Sequence, residues 1–76
     1  MDVKRSVTLA GHRTSVALEA EFWDALKEIA RTKGLSQNVL IGEIDAARLD
    51  GEAPTANLSR AIRLYILRYY QERTTP

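Results

Sequence analysis

The chain contains no cysteine and a single histidine, so neither a disulfide staple nor a thiolate zinc site is available to hold it together. Two prolines and four glycines are spread over 76 residues, and 45% hydrophobic with 28% charged residues is an ordinary globular balance. Such a composition argues against a disordered tail or a low-complexity linker. Long apolar runs are missing as well. The run Leu64–Leu67 is four residues, against the roughly 20 needed to span a bilayer. No apolar stretch of leader-peptide length follows the charged opening at Asp2, Lys4 and Arg5, so the chain reads as soluble and cytoplasmic.

The parts of an enzyme are equally scarce. There is no cysteine nucleophile, and His12 has no recognisable Ser and Asp partners. No glycine-rich loop follows a strand to cradle a nucleotide. The carboxylates are scattered over helix surfaces, where solvation is their ordinary role. The expectation is therefore a protein that is not an enzyme, with no cofactor and no metal. A chain this small, without staples, often completes its core by oligomerising, so a homodimer is expected.

What is present is a patterned distribution of charge. The net charge is only +1, but residues 1–16 carry Lys4, Arg5 and Arg13 against Asp2. Residues 17–52 hold eight acids against four bases, and residues 53–76 hold four Arg against Glu72. Basic ends around an acidic middle suit a polyanion partner, and the same pattern suits a solvated surface.

Hydrophobic periodicity divides the chain. Arg13–Glu19 alternates, with Thr14, Val16 and Leu18 on one face and Arg13, Ser15, Ala17 and Glu19 on the other, the pattern of a half-buried strand. Ser6–Ala10 alternates too, in shifted phase, with Gly11-His12 between the two stretches. A hairpin setting Val7 against Val16 and Leu9 against Thr14, a bulge, or a loose arm all fit this. From Ala20 to Lys33 the period becomes helical, with Phe22, Leu26 and Ile29 in one stripe and Trp23 beside it. Phe22 and Trp23 are read as core. Gly34 follows as a left-handed cap. Ser36 is a good N-cap for a second helix carrying Val39, Leu40, Ile44 and Ala47 to about Leu49. A Gly- and Pro-containing break precedes a last helix from about Leu58 to Glu72. Its apolar set (Leu58, Ala61, Ile62, Tyr65, Ile66 and Tyr69, widened by Leu64 and Leu67) is broad enough to need more than one neighbour, and a second subunit is the expected cover.

The ordered combination Arg13-Thr14-Ser15-Val16-Ala17-Leu18-Glu19, then Phe22 to Lys33, then Gly34-Leu35-Ser36-Gln37-Asn38-Val39-Leu40-Ile41 resembles the ribbon-helix-helix DNA-binding family. The opening Gly-His-Arg-Thr-Ser, the Glu-Phe-Trp and the late Asn-Leu-Ser-x-Ala-Ile-Arg are similar to a bacterial branch with an extra C-terminal helix. The resemblance covers residues 5 to about 70.

It implies a mainly α fold with one N-terminal β-strand, in an intertwined homodimer whose strands pair across subunits as an antiparallel ribbon. The implied organisation is an arm or extra strand over 1–12, a ribbon-helix-helix core over 13–49, a linker over 50–57, a helix over 58–73 and a tail over 74–76. The implied function is sequence-specific DNA binding in transcriptional regulation, at the nucleoid, with the ribbon in the major groove. Arg13, Ser15 and Ala17 would read bases, Ala17 standing where family members usually place a polar reader. Ser36, Gln37 and Asn38 would meet phosphate at a helix N-terminus, with Lys4, Arg5 and His12 reaching flanking phosphates. Val16, Leu18, Phe22, Leu26, Ile29, Leu40, Ile44, Ile62 and Ile66 would form the dimer core. The alternative is an antitoxin-like or other protein-interaction module in which the last helix captures a second protein through Tyr65, Arg68, Tyr69 and Tyr70.

Overall fold

The computed structural model describes residues 2–9, 11–51 and 58–74, the side chains of residues 48–51 excepted. Two strands, β1 (Asp2–Leu9) and β2 (His12–Glu19), are followed by helices α1 (Ala20–Lys33), α2 (Gln37–Gly51) and α3 (Leu58–Thr74). Two strands are thus present where the family resemblance implied one, and of the hairpin, bulge and loose arm left open by the alternation of Ser6–Ala10 the hairpin is the one formed. They pair with each other, antiparallel and within the chain, so β2 satisfies one edge of its backbone without a second subunit.

The register is tighter than the hairpin weighed from sequence. Leu9 lies opposite His12 and Val7 opposite Thr14, leaving two residues to turn the chain. Gly11 takes φ 82°, a left-handed value that glycine reaches without steric cost. Two-residue turns match the twist of the flanking strands, which is why the shorter connection wins over one two residues longer.

The first helix ends as its sequence requires. Gly34 sits at φ 72°, and the N–H groups of Gly34 and Leu35 donate to the carbonyls of Arg31 (3.1 Å) and Ala30 (2.9 Å). This pair of bonds closes a Schellman motif around the orphan carbonyls. Because an L side chain pays about 1–2 kcal/mol in that conformation, Gly34→Ala is expected to lower stability by that amount. Urea unfolding at fixed protein concentration checks it.

Ser36 caps the next helix, its Oγ accepting from the Val39 N–H at 3.1 Å. That helix continues to Gly51, so Asp50 and Gly51 belong to α2 rather than to the linker expected over 50–57. The rest of that linker, residues 52–57, and residues 75–76 of the tail lie outside the described residues.

All three helices lie on one side of the hairpin, with β1 over α2 and β2 over α1 and α3. Between the layers sit Val7, Val16, Leu18, Trp23, Leu26, Ile29, Ala30, Leu40, Ile41, Ile44, Ile62 and Ile66, all buried. Eight of the nine residues expected to need a dimer core are therefore buried inside a single chain, because β1 and α3 supply the cover. Phe22 is the exception: it is half-buried, with the Arg63 guanidinium 5.9 Å from its ring centroid. Ile41 joins the core although the helical stripe had not included it. Thr14, placed on the buried face by alternation, is exposed, as is His12. Both belong to the turn end of β2, which reaches beyond the helices while Leu9 on β1 packs over Gly42 of α2.

Candidate nucleic-acid interface

Antiparallel register decides which residues share a face. Arg13, Ser15 and Ala17 lie opposite Thr8, Ser6 and Lys4, so these six side chains line the side of the hairpin turned away from the helices. Lys4, Ser6, Thr8, Arg13 and Ser15 are all exposed and Ala17 is partly so. The row closes at its far end with Asp2 opposite Glu19. The expected readers thus come together on one open face, and β1 adds a second row that alternation within β2 had no means of showing. The signal for it was the two-residue spacing around Gly11, which sets the register once the hairpin forms.

Arg5 is not on that face. It lies opposite Val16, on the core side, with its guanidinium 5.0 Å from the Trp23 ring centroid. The indole of Trp23 also donates from Nε1 to the Val3 carbonyl at 2.7 Å, which ties the first strand to α1. His12 likewise shares the core-side face rather than the outer one.

At the N-terminus of α2, Asn38 does something the sequence did not indicate. Its Oδ1 accepts from the Thr8 backbone N–H at 3.1 Å and its Nδ2 donates to the Thr8 carbonyl at 2.7 Å. A side-chain amide thereby imitates a neighbouring strand at Thr8, on the outer edge of β1, and such edges are a standard liability of small sheets. Ser36 and Gln37 sit beside it, so the N-terminal end of α2 adjoins the β1 edge. Since Thr8 directs its backbone groups away from β2, its cross-strand partner Arg13, and with it Ser15 and Ala17, direct theirs to the opposite edge. No hydrogen bond among the described residues reaches that β2 edge. One edge is capped at Thr8, near the turn, and the other is open.

At the far end of the ribbon, Glu19 leaves the strand and precedes α1. The Arg63 Nε donates to its Oε1 at 3.0 Å, linking β2, α1 and α3. The Glu19 carboxyl is held below its ordinary range, first by its own backbone N–H and then by Arg63. A lowered carboxyl contributes stability above its unfolded pKa, and that contribution is lost as pH falls through the lowered value. Glu19→Gln is accordingly expected to be less stable near neutrality and to show a flatter decline on acidification. Thermal midpoints measured from neutral pH into the acid range test this; parallel curves would refute it.

On α3, Tyr65 and Tyr69 pack against the core, and Arg73 lies 4.4 Å from the Tyr69 ring centroid. Leu67, Arg68 and Tyr70 are exposed. The aromatic residues expected to dock a partner thus divide, two structural and one outward. Among the described residues, no group of three His, Cys, Asp or Glu is arranged to hold a metal, and no helix is long and apolar enough to cross a membrane.

Comparison with known proteins agrees with this geometry. A family model described as a ribbon-helix-helix domain matches residues 2–70. Among solved structures, an uncharacterized protein from Bordetella pertussis Tohama I is similar, at 37% identity and a TM-score of 0.80, over 96% of this chain and 58% of that one. The chain therefore spans a little over half the length of that protein. No curated protein matches it.

Proposed function

This chain belongs to the ribbon-helix-helix family, and from that premise we propose that it is a homodimeric, sequence-specific DNA-binding regulator of transcription that works at the nucleoid. Members of the family generally bind DNA as transcriptional regulators, form dimers and are typically non-enzymatic. The observation that carries the proposal is the uncovered outer face of the hairpin. It is polar and exposed, it has Arg13 and Lys4 among its residues, and every helix lies on its other side.

The open β2 edge supports the dimer. Pairing with the same edge of a second copy would place two β2 strands at the centre of a four-stranded sheet, while the Asn38 cap keeps β1 at the outside. The central pair then carries Arg13, Ser15 and Ala17 twice into the major groove. Arg13 bonds guanine through its fork, Ser15 donates or accepts, and Ala17 is limited to apolar contact with a thymine methyl. Ser36, just before α2, and Gln37, its first residue, turn backbone N–H groups toward a phosphate. Asn38 serves there chiefly by holding β1 in place.

The test is titration of the purified protein against random-sequence and genomic DNA fragments at two salt concentrations, with the mass measured in solution. A dimer that retains selected fragments and weakens with salt supports the proposal. A protein indifferent to all DNA at low salt overturns it.

One observation favours a second reading, capture of another protein by α3. Leu67 is 51% and Tyr70 39% exposed, three residues apart and so on one helical face. Replacing both with Ser would abolish such capture and leave DNA binding unchanged.

A further inference from the structure

We propose that the outer face of β1, formed by Lys4, Ser6 and Thr8, is a phosphate-binding rail that grips the DNA backbone beside the groove that β2 reads. The inference rests on the proposed DNA-binding dimer and adds a site to it.

The argument is one of widths. Strands in a sheet lie about 4.8 Å apart. In a four-stranded sheet centred on two β2 strands, each β2 lies about 2.4 Å from the midline and each β1 about 7 Å from it. The major groove is about 12 Å wide, so its walls stand about 6 Å from its centre. The central strands fall over base edges, and the flanking strands fall over the walls, which are phosphate.

The residue types agree with that placement. The three outward positions of β1 between its termini are Lys4, Ser6 and Thr8, all exposed: one cation and two hydroxyl donors, the groups that bond phosphate oxygens. Lys4 makes no ion pair among the described residues, and of the two carboxylates nearest on that face, Glu19 is engaged by Arg63. Lys4 also stands opposite Ala17, so the position with the weakest reader is flanked by the rail's only charge. The face is held rigidly, because Asn38 clamps one end of the strand at Thr8 and Trp23 bonds the other end at Val3.

The neighbouring cation provides the control. Arg5 adjoins Lys4 in sequence, with the same formal charge, but faces the core over Trp23. A rail distinguishes the two; a loose basic arm does not.

The experiment measures binding of the wild type, Lys4→Gln and Arg5→Gln to one selected DNA fragment and one unrelated fragment over a series of salt concentrations, with thermal midpoints confirming that each variant is folded. For Lys4→Gln the slope of log K against log salt is expected to fall by about 1.8, since two phosphate contacts per dimer are lost at about 0.9 each. Its affinity falls by the same factor on both fragments, because phosphate carries no sequence. Arg5→Gln is expected to keep the wild-type slope. Wild-type binding with equal slope losses in the two variants, or with none, overturns the rail and leaves the DNA-binding proposal standing. An affinity loss for Lys4→Gln confined to the selected fragment also overturns it, because β1 would then be reading bases. A wild type that binds neither fragment overturns both proposals.

Discussion

Arg13→Ala is expected to abolish selective DNA binding while leaving the fold intact. A forked arginine–guanine contact discriminates by about 1–3 kcal/mol, and a dimer repeats it, so the summed loss is about 2–6 kcal/mol if the two copies act independently. That corresponds to roughly 30-fold up to more than 10⁴-fold in the ratio of selected to unrelated DNA. Stability should change by no more than about 0.5 kcal/mol, because Arg13 is exposed on the outer face with no described partner. Arg13→Lys separates charge from geometry. Lysine restores attraction to the polyanion but not the planar fork, so general binding should return further than selectivity. Competition titrations with selected and unrelated fragments give both quantities. A ratio within twofold of the wild type for Arg13→Ala would remove this side chain as a reader.

The second large effect concerns α3. Ile62 is fully buried, on a helix that packs against α1, α2 and β2. Truncating such a side chain to Ala removes its transfer free energy and leaves a cavity, at a cost of about 2–5 kcal/mol. A domain of this length has about 4–11 kcal/mol in total, so Ile62→Ala should place the protein near the edge of folding. The midpoint should fall by about 4–8 °C for each kcal/mol lost. Leu67→Ala, five residues along the same helix and exposed on its outer side, should stay within about 0.5 kcal/mol of the wild type. Thermal unfolding at one protein concentration compares them, the fixed concentration being necessary for a dimer. If α3 were an appendage to a core completed elsewhere, the two variants would behave alike. The expected difference makes α3 part of the folding unit.

Much of this was legible in the residues. The helical period of Phe22, Leu26 and Ile29, the cap at Gly34 and the Ser36 hydroxyl are local signals, set by contacts within about four residues. Each appears where local geometry requires it. The strand Arg13–Glu19 was legible for the same reason, and so was the outward set Arg13, Ser15 and Ala17, because alternation depends on the chain's own pleat. Thr14 shows where that reasoning stops. Alternation assigned it correctly to the side of Val16 and Leu18, but whether a helix lies beneath is not a property of the strand.

The contrast between Lys4 and Arg5 has the same origin. As sequence they are two adjacent basic residues near the start. The hairpin register sends one outward beside Ala17 and the other inward over Trp23, and that register depends on a turn at Gly11 and on the bonds from Trp23 and Asn38. The nine residues assigned to a dimer core show the limit from another side. A single chain buries eight of them, through packing partners on elements distant along the chain, such as α3 against β2, which leave no local mark.

By itself, then, the sequence determined the three helices, a strand with its two faces, the caps and the family, all of which follow from periodicity and from short-range stereochemistry. Only the tertiary structure decided that β1 pairs with β2 inside the chain, that Asn38 caps one edge while the other stays open, and that α3 closes the core. Those choices are made among surfaces distant along the chain, where burial of apolar area and pairing of backbone groups are settled together.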